Sequence, residues 1–292
     1  MLTHLNSDET APARVVVLGP TGSVGAPVAH RLRQAGADVL PLGRAQLDLA
    51  AAGAAGALAR LLRDRDVLIF VSAVAPVKER DQFLANMRMA DAVCKALRDA
   101  PLSQLIYISS DAVYTDSRAP LTEASPAAPT SLHGMMHLAR EMLLRDAWKG
   151  PLCIVRPTLV YGASDRHGGY GPNRFWREAA AGGPIKLFGN GEELRDHISA
   201  EDLAEIVCGI VSRRSAGVLN IATGAPATFE QIAIMIASMR GLEDGIARLP
   251  RSGPMPHGGF RVFDVAATRR AFPALRFTAL ADGLRKLGEF VG

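Results

Sequence analysis

The chain has 292 residues, of which 48% are hydrophobic and 21% charged, with a formal net charge of +4. This length suits one large domain or two smaller ones, and the scattered basic residues disfavour a nucleic-acid-binding protein. No apolar run reaches the roughly 18 residues of a transmembrane helix, so no membrane association is expected. The three cysteines, Cys94, Cys153 and Cys208, lie far apart in apolar sequence, which indicates reduced thiols and a cytoplasmic protein.

The chain begins with a polar stretch, residues 1–12, that we expect to be a flexible tail, followed by a strand, a tight turn and a helix. The apolar run Val15–Leu18 stops at Gly19, and glycines then recur at every third position as far as Gly25. Glycine lets phosphate oxygens approach the main chain, and the helix start offers free N–H groups, although such turns also occur merely to pack a helix against a sheet. We predict that this turn binds the pyrophosphate of a dinucleotide through Gly19, Thr21, Gly22, Ser23, Val24 and Gly25.

Short apolar runs alternate with helical stretches through the first half of the chain. Strands are predicted at residues 14–18, 38–42, 67–71, 104–108 and 152–155, and helices at 24–34, 54–63, 82–98 and 134–148. This alternation is typical of βαβ units and predicts an α/β fold with a doubly wound parallel sheet. Since Pro41 would remove a ladder hydrogen bond, the second strand should lie at or near the edge of a shortened sheet.

The second half is less regular and is predicted to form a smaller α/β part. We expect loops at 161–172 and 248–259, strands at 185–188 and 218–221, and helices at 202–211, 228–239 and near 280–287. The domains are therefore predicted as a dinucleotide-binding Rossmann domain at 13–170 and a substrate-binding part at 171–292. Residues 198–222 are expected to return to the main sheet.

Polar residues that can perform chemistry follow the predicted fourth and fifth strands. Ser109 and Ser110 end the fourth strand, and ligands of open α/β sheets bind at the carboxyl ends of the strands. The next helix opens with Ser131-Leu132-His133-Gly134-Met135-Met136-His137, and Arg156-Pro157 ends the fifth strand.

In this order, these segments resemble the extended short-chain dehydrogenase/reductases, a family of nucleotide-sugar epimerases, dehydratases and reductases. The resemblance is carried by the glycine turn, Asp48-Leu49, Ser109 to Tyr114, Arg156-Pro157, Val160 to Gly162, Gly189 to Asp196, and Asn220 to Gly224. The short region between the second and third strands is most similar to the dehydrorhamnose-reductase branch. The resemblance implies a Rossmann-like fold and hydride transfer between a nicotinamide coenzyme and a nucleotide-linked sugar.

The resemblance also assigns roles to single residues. Ser110 matches the catalytic Ser/Thr that bonds the substrate oxygen, and Asn173 and Arg195 match residues that hold the substrate diphosphate. Gly43 replaces the acidic residue of NAD-preferring members and Arg44 follows it, which favours NADP(H), with NAD(H) as the other possibility; a solvated loop cation is the alternative for Arg44. The remaining cofactor-binding residues implied are Asp48, which would meet the adenine, and Leu49, Ser72, Ala73 and Pro157.

The family signature of a tyrosine and a lysine four residues later is replaced by His133 and His137, although Gly134 and Glu141 match the pattern. One hypothesis makes His133 the acid/base and lets His137 contact the nicotinamide ribose. A second is a binding or sensor protein of the same fold with little turnover. A third, that both histidines and Glu141 hold zinc, lacks a further ligand, so no metal site is assigned. Tyr114 and Tyr161 are the alternative phenols.

The expected reaction is reduction or epimerisation, with dehydration last because Asp111 is the single carboxylate beside the serine pair. The helices at 82–98 and 134–148 resemble the family's dimer-forming bundle, so a homodimer is expected.

Overall fold

The computed structural model describes residues 1–12, 14–98, 100, 102–165, 168–242 and 245–291. The strands are β1 (Val15–Leu18), β2 (Val39–Leu42), β3 (Val67–Phe70), β4 (Gln104–Ile108), β5 (Leu152–Pro157), β6 (Leu159–Tyr161), β7 (Ile185–Phe188), β8 (Leu194–Arg195), β9 (His197–Ser199), β10 (Gly217–Ile221), β11 (Ala227–Thr228), β12 (Ile246–Leu249) and β13 (Phe260–Arg261). The α-helices are α1 (Gly25–Gln34), α2 (Ala54–Leu61), α3 (Arg80–Ala96), α4 (Leu132–Ala147), α5 (Pro172–Ala180), α6 (Ala200–Ser212), α7 (Phe229–Arg240), α8 (Ala266–Ala271) and α9 (Leu280–Val291).

Six parallel strands form the main sheet in the order β10-β5-β4-β3-β1-β2. The runs β1, β3 and β4 are buried at every position, because helices cover both faces of the sheet. Helices α1 and α6 contribute to the core on one face, and α2, α3 and α4 to the core on the other. The predicted α/β class with a doubly wound parallel sheet is confirmed.

Strand β2 occupies an edge of this sheet, as predicted. Pro41 pairs with Val17 of β1 on its only partnered side, so the missing N–H leaves no internal ladder position unfilled. The opposite edge is β10, which pairs with β5 from Gly217 to Ile221 and so brings the second half of the chain back to the main sheet.

A separate core lies in the second half of the chain. It buries aromatic and aliphatic side chains of α5, β7, α7 and α9, including Phe175, Trp176, Phe229 and Leu284. Helix α5, the short strands β8, β9, β12 and β13, and helix α8 were not predicted. Strand β12 and a short 3₁₀ turn occupy parts of the segment expected to be loop.

The segment 1–12 packs on the main domain, so the prediction of a flexible tail is wrong. Thr3 forms a two-way backbone bridge with Ala216, and the Thr10 N–H donates to the Ser212 carbonyl. His4 bonds the Ser215 hydroxyl at 2.7 Å and the Ala271 carbonyl at 2.9 Å. These long-range partners supply the order that the polar local sequence does not indicate.

The described part of the chain contains no helix long and apolar enough to cross a membrane.

Candidate active site

A cavity of about 470 Å³ lies over the carboxyl ends of the main-sheet strands. Its walls are the segments that follow β1 to β5, together with one face of α4. It brings together most of the predicted site residues: Gly19, Thr21, Gly22, Ser23, Val24, Arg44, Asp48, Leu49, Ser72, Ala73, Ser110, His133, His137 and Pro157. These predicted residues therefore line one common cavity.

The glycine turn after β1 forms one end of the cavity. Gly19 has φ of 89°, and a Cβ there would lie 2.9 Å from the Ser72 nitrogen. A Cβ at Gly22 would meet no protein atom closer than the Gly19 oxygen at 3.9 Å, so this glycine leaves open space in the cavity. Helix α1 starts without a side-chain cap or a first-turn acid, which leaves its amide dipoles for an anion. A pyrophosphate therefore fits this turn.

Gly25 has a different place from the one predicted. It does not line the cavity, and a Cβ there would lie 2.0 Å from the Gly19 oxygen. Its missing side chain lets the first turn of α1 rest on the strand–helix turn. The glycine is thus required for packing, and its contribution to a ligand is through the shape of the turn.

Arg44 and Asp48 form the wall that follows β2. The Arg44 side chain is 87% exposed, and its Nε lies 3.2 Å from an Asp48 oxygen. The Ala50 N–H, and to a smaller extent Arg44, lower the pKa of Asp48. Gly43, which directly follows β2, has no side chain and so offers no carboxylate to a ligand. Its N–H donates to the side chain of Gln46. Arg44 therefore presents an exposed guanidinium at the cavity wall while one of its nitrogens contacts Asp48.

Ser110 lies at the start of a 3₁₀ turn, residues 111–113, that follows β4. Its Oγ accepts the Ala112 N–H at 3.1 Å and lies 3.4 Å from an oxygen of Asp111. This cap fixes the hydroxyl at the cavity wall, where it can also bond a ligand oxygen.

The buried carboxylate of Glu141 holds α4 against the sheet. It accepts from the Ser109 hydroxyl at 2.6 Å and from Arg156 at 2.9 and 2.6 Å. Because Glu141 and Arg156 are nearly fully buried, loss of the Glu141 carboxylate would leave Arg156 as an unpaired buried charge, at a cost of about 3–5 kcal/mol. Arg145 also lies 3.6 Å from this carboxylate and would remain beside it if Arg156 were lost. These bonds fix the position of α4, and therefore of both histidines, relative to the carboxyl ends of the strands.

His133 and His137 lie one helical turn apart on α4, with ring centroids 4.8 Å apart, and both line the cavity. The Val77 N–H points to Nδ1 of His133 at 3.4 Å, and Nδ1 of His137 lies 2.8 Å from the Tyr107 hydroxyl. Burial lowers the pKa of His133, against the attraction of Asp111. Burial, then His133 and Arg140, place the pKa of His137 well below its usual value. Both rings are neutral at neutral pH.

The zinc hypothesis is not supported by this geometry. Both oxygens of Glu141 are taken by Ser109 and Arg156, so the expected third ligand is occupied. No group of three or more metal-competent side chains occurs within the described residues. Tyr114 and Tyr161 do not line the cavity either, and the Tyr114 hydroxyl donates to Asn220.

Asn173 and Arg195, the predicted diphosphate residues, lie outside the cavity lining. The Asn173 amide forms two hydrogen bonds with the Gly162 backbone and so fixes the start of α5. Arg195 lies 3.4 Å from an oxygen of Asp111. Within the described residues it forms no ion pair with Asp196 or Glu192. Arg195 thus contacts Asp111, the residue next to Ser110. The Asn173 amide is already hydrogen-bonded to the Gly162 backbone and is not available to a ligand.

Sequence reasoning missed two buried residues beneath the histidines, Tyr107 of β4 and Arg140 of α4. Tyr107 lies in the predicted apolar strand 104–108 and Arg140 in the predicted helix 134–148, and neither was assigned a role. The available signal was spacing, because Arg140 follows His137 by three residues and therefore lies on the same helical face.

The parallel sheet, the glycine turn and the cavity at the strand ends define a Rossmann-like fold. The sequence model of the NAD dependent epimerase/dehydratase family matches residues 15–222, and the chain belongs to this family. The resemblance drawn from the motifs is confirmed.

Two curated relatives match almost the whole chain. The dTDP-6-deoxy-L-talose 4-dehydrogenase (NAD(P)(+)) of Kitasatospora kifunensis is 26% identical, over 97% of this chain and 97% of its own. The UDP-glucose 4-epimerase of Mycolicibacterium smegmatis is 26% identical, over 95% of this chain and 98% of its own. Both relatives are enzymes.

Solved structures share the fold. The UDP-glucuronic acid 4-epimerase of Bacillus cereus, in complex with UDP-glucuronic acid and NAD, has a TM-score of 0.81 at 19% identity, covering 95% of this chain and 98% of its own. A UDP-glucose 4-epimerase of Thermotoga maritima has a TM-score of 0.84 at 20% identity, with the same coverage.

Two of the three glycines in the turn, Gly22 and Gly25, give a matched test of ligand space against packing. Gly22→Ala should weaken dinucleotide binding about tenfold or more, because its methyl occupies ligand space, with a free energy of unfolding close to wild type. Gly25→Ala should lower the free energy of unfolding by about 1–3 kcal/mol, because its methyl overlaps the Gly19 carbonyl. Nicotinamide fluorescence titration and urea unfolding measure the two effects. Wild-type affinity in Gly22→Ala would show that no ligand phosphate lies there.

Proposed function

We propose that this chain is an NAD(P)-dependent reductase or epimerase that acts on a nucleotide-linked sugar, with NADP(H) as its preferred coenzyme. The observation that carries this proposal is the single cavity that holds the glycine turn, Ser110 and His133 together. Two relatives at near-complete coverage support the substrate class, since one is a dTDP-sugar dehydrogenase that uses NAD(P)+ and the other is a UDP-glucose 4-epimerase.

The chemistry divides between the coenzyme and the side chains of this chain. A nicotinamide coenzyme, when bound, would supply the hydride chemistry at a sugar carbon. The turn from Gly19 to Val24 holds the pyrophosphate through main-chain N–H groups. Ser110 donates a hydrogen bond to the reacting sugar oxygen, and His133 exchanges a proton with that oxygen, directly or through a water, because imidazole is shorter than a phenol.

The sugar-nucleotide side of the site is proposed to belong to the substrate-binding part at 171–292, where Arg195 presents a guanidinium beside Asp111. An arginine suits the diphosphate of a nucleotide sugar, because it can bond two oxygens at once. Asn173 needs to release Gly162 before its amide can reach a ligand.

One observation favours a second candidate, a dinucleotide-binding sensor with little turnover. The residues that line the cavity include no tyrosine and no lysine within the described part of the chain. Tight dinucleotide binding without absorbance change, across a broad panel of nucleotide sugars, would support the sensor.

Coenzyme preference should depend on Arg44. Arg44→Ala should weaken NADPH binding about tenfold and leave NADH binding within about twofold, because an Arg–phosphate pair contributes roughly 1.5–3 kcal/mol and only NADPH carries the 2′-phosphate. Titration of wild type and variant with both coenzymes measures this difference. Arg33→Ala, at the far end of α1, is the control for loss of one positive charge. Equal weakening of both coenzymes would contradict the assignment.

Turnover should depend on His133 and on pH. In the oxidative direction His133 acts as a base, so kcat should fall as pH drops through its pKa, which lies below the ordinary value of about 6.5. His133→Ala should lower kcat about 100-fold and remove this acidic limb. The exposed His30 of α1 provides the control, and His30→Ala should retain wild-type kcat. Unchanged turnover in His133→Ala would remove His133 from the mechanism.

We also propose a homodimer formed through α3 and α4. Helix α4 exposes Leu132, Met135, Met142 and Leu143, and Met135 and Met142 lie two turns apart on one side. Sedimentation should give twice the mass of one chain, and Met142→Lys should shift it to the monomer. Ile234→Lys, on the remote helix α7, is the matched control because Ile234 is also exposed. A wild-type monomer at all accessible concentrations would contradict the dimer.

A further inference from the structure

Tyr107 places a phenol directly beneath the histidine pair. The residue belongs to β4 and is fully buried, and its hydroxyl oxygen lies 2.8 Å from Nδ1 of His137. Its ring also packs against Phe70 of the neighbouring strand, with centroids 5.5 Å apart, which fixes the direction of the phenol. Neither the sequence motifs nor the family resemblance assigns a role to this tyrosine.

The hydrogen bond between Tyr107 and His137 has one direction that satisfies both groups. Burial raises the pKa of the Tyr107 phenol, so the hydroxyl keeps its hydrogen. Within the described residues, Nδ1 of His137 is the only acceptor within hydrogen-bond distance of that hydroxyl. Buried O–H groups are rarely left without an acceptor. Tyr107 therefore donates to Nδ1, and a neutral His137 carries its proton on Nε2, the nitrogen left for the cavity.

Arg140 supplies a buried positive charge on the same face of α4. Its guanidinium donates to the Asn86 carbonyl and side-chain oxygens and to the Ser72 carbonyl, at 2.8 to 3.2 Å. No carboxylate lies within ion-pair distance of it in the part of the chain that the structure describes. A proton added to His137 would therefore create a second buried cation beside an uncompensated one.

The other ionisable groups near His137 do not offset this charge. His133 lies one turn before it on α4 and is also neutral, with a lowered pKa. Glu141 lies one turn after it, and its charge is paired with Arg156. Tyr107, from β4, stays protonated. Burial, His133 and Arg140 therefore favour the neutral ring, and the negative charge of Glu141 is directed to its arginine partners.

We propose that Tyr107 is a positioning residue, which holds His137 as a neutral imidazole that presents a permanent Nε2–H donor to the cavity. The two histidines then have separate tasks, since His133 exchanges protons and His137 donates one fixed hydrogen bond. That the acceptor is a ribose hydroxyl of the dinucleotide rests on the proposed function, whereas the state of the ring does not. A lysine at this position would bring its charge against Arg140, so the site uses an uncharged donor.

The test measures the ring nitrogens of His137 by ¹⁵N NMR in the full chain without ligand. The signal is assigned by its absence from His137→Gln. Wild type should show an unprotonated Nδ1 and a protonated Nε2, unchanged from about pH 8 to about pH 5.5, a unit below the ordinary histidine pKa of about 6.5. Tyr107→Phe keeps the ring and removes the hydroxyl, so the two tautomers should mix.

The same variants are then compared in dinucleotide binding. Tyr107→Phe should weaken dinucleotide binding about twofold, because only the molecules that keep the hydrogen on Nε2 can donate to the ligand. Tyr114→Phe is the matched control, because it also removes a buried hydroxyl that donates a 2.6 Å hydrogen bond, here to Asn220 and away from His137. It should leave both the His137 tautomer and the affinity at the wild-type values.

A protonated Nδ1 in wild type, titration near pH 6.5, or an unchanged tautomer in Tyr107→Phe would overturn the proposal. The wild-type spectra decide the tautomer even if Tyr107→Phe fails to fold. If wild type binds no dinucleotide, the proposed function fails, while the state of His137 is still measured.

Discussion

The carboxylate of Glu141 is the constraint on which the rest of the site depends. It joins α4 to β4 through Ser109 and to β5 through Arg156, inside a region closed to water. The residues that follow Ser109 and Arg156 in the chain, Ser110 and Pro157, line the cavity. A single buried ion pair therefore fixes the serine, the histidine helix and one cavity wall relative to one another, and any shift of α4 would displace them together.

A buried positive charge, that of Arg140, lies beneath two neutral histidines in this cavity. Arg140 is buried with carbonyl oxygens as partners, and the histidines above it are held neutral by burial. The carbonyls that Arg140 bonds belong to Ser72 and Asn86, and the Asn86 side chain in turn bonds the Val74 backbone. The buried guanidinium thus also supports the cavity wall that follows β3. Arg140 therefore adds positive charge beneath the histidines although it does not line the cavity.

The sequence was sufficient wherever local pattern decides the structure. Uninterrupted apolar runs marked the buried parallel strands, Pro41 marked the edge, and the glycine spacing marked the cavity end. Long-range partners decided the rest. The polar segment 1–12 is ordered by Ala216 and Ser212, and Asn173 is engaged by Gly162, neither of which sequence spacing reveals. Helix α5 was missed because a glycine-rich stretch precedes it and its nine residues give little periodicity before the tertiary core forms around Phe175 and Trp176.

Asp111 lies between the main sheet and the short strands of the second half of the chain, next to Ser110. It begins the 3₁₀ turn that Ser110 caps, and its carboxylate lies 3.4 Å from Arg195 of β8 and 3.5 Å from Arg261 of β13. Arg261 also donates to the Asp111 carbonyl at 2.8 Å. Within the described residues, the buried Nε of Arg195 has no hydrogen-bond partner. An anion that approached this arginine would satisfy Nε and would share the guanidinium charge with Asp111. Under the proposed function, substrate phosphates at Arg195 would act on the turn that carries Ser110, so their binding would be coupled to the placement of the serine hydroxyl.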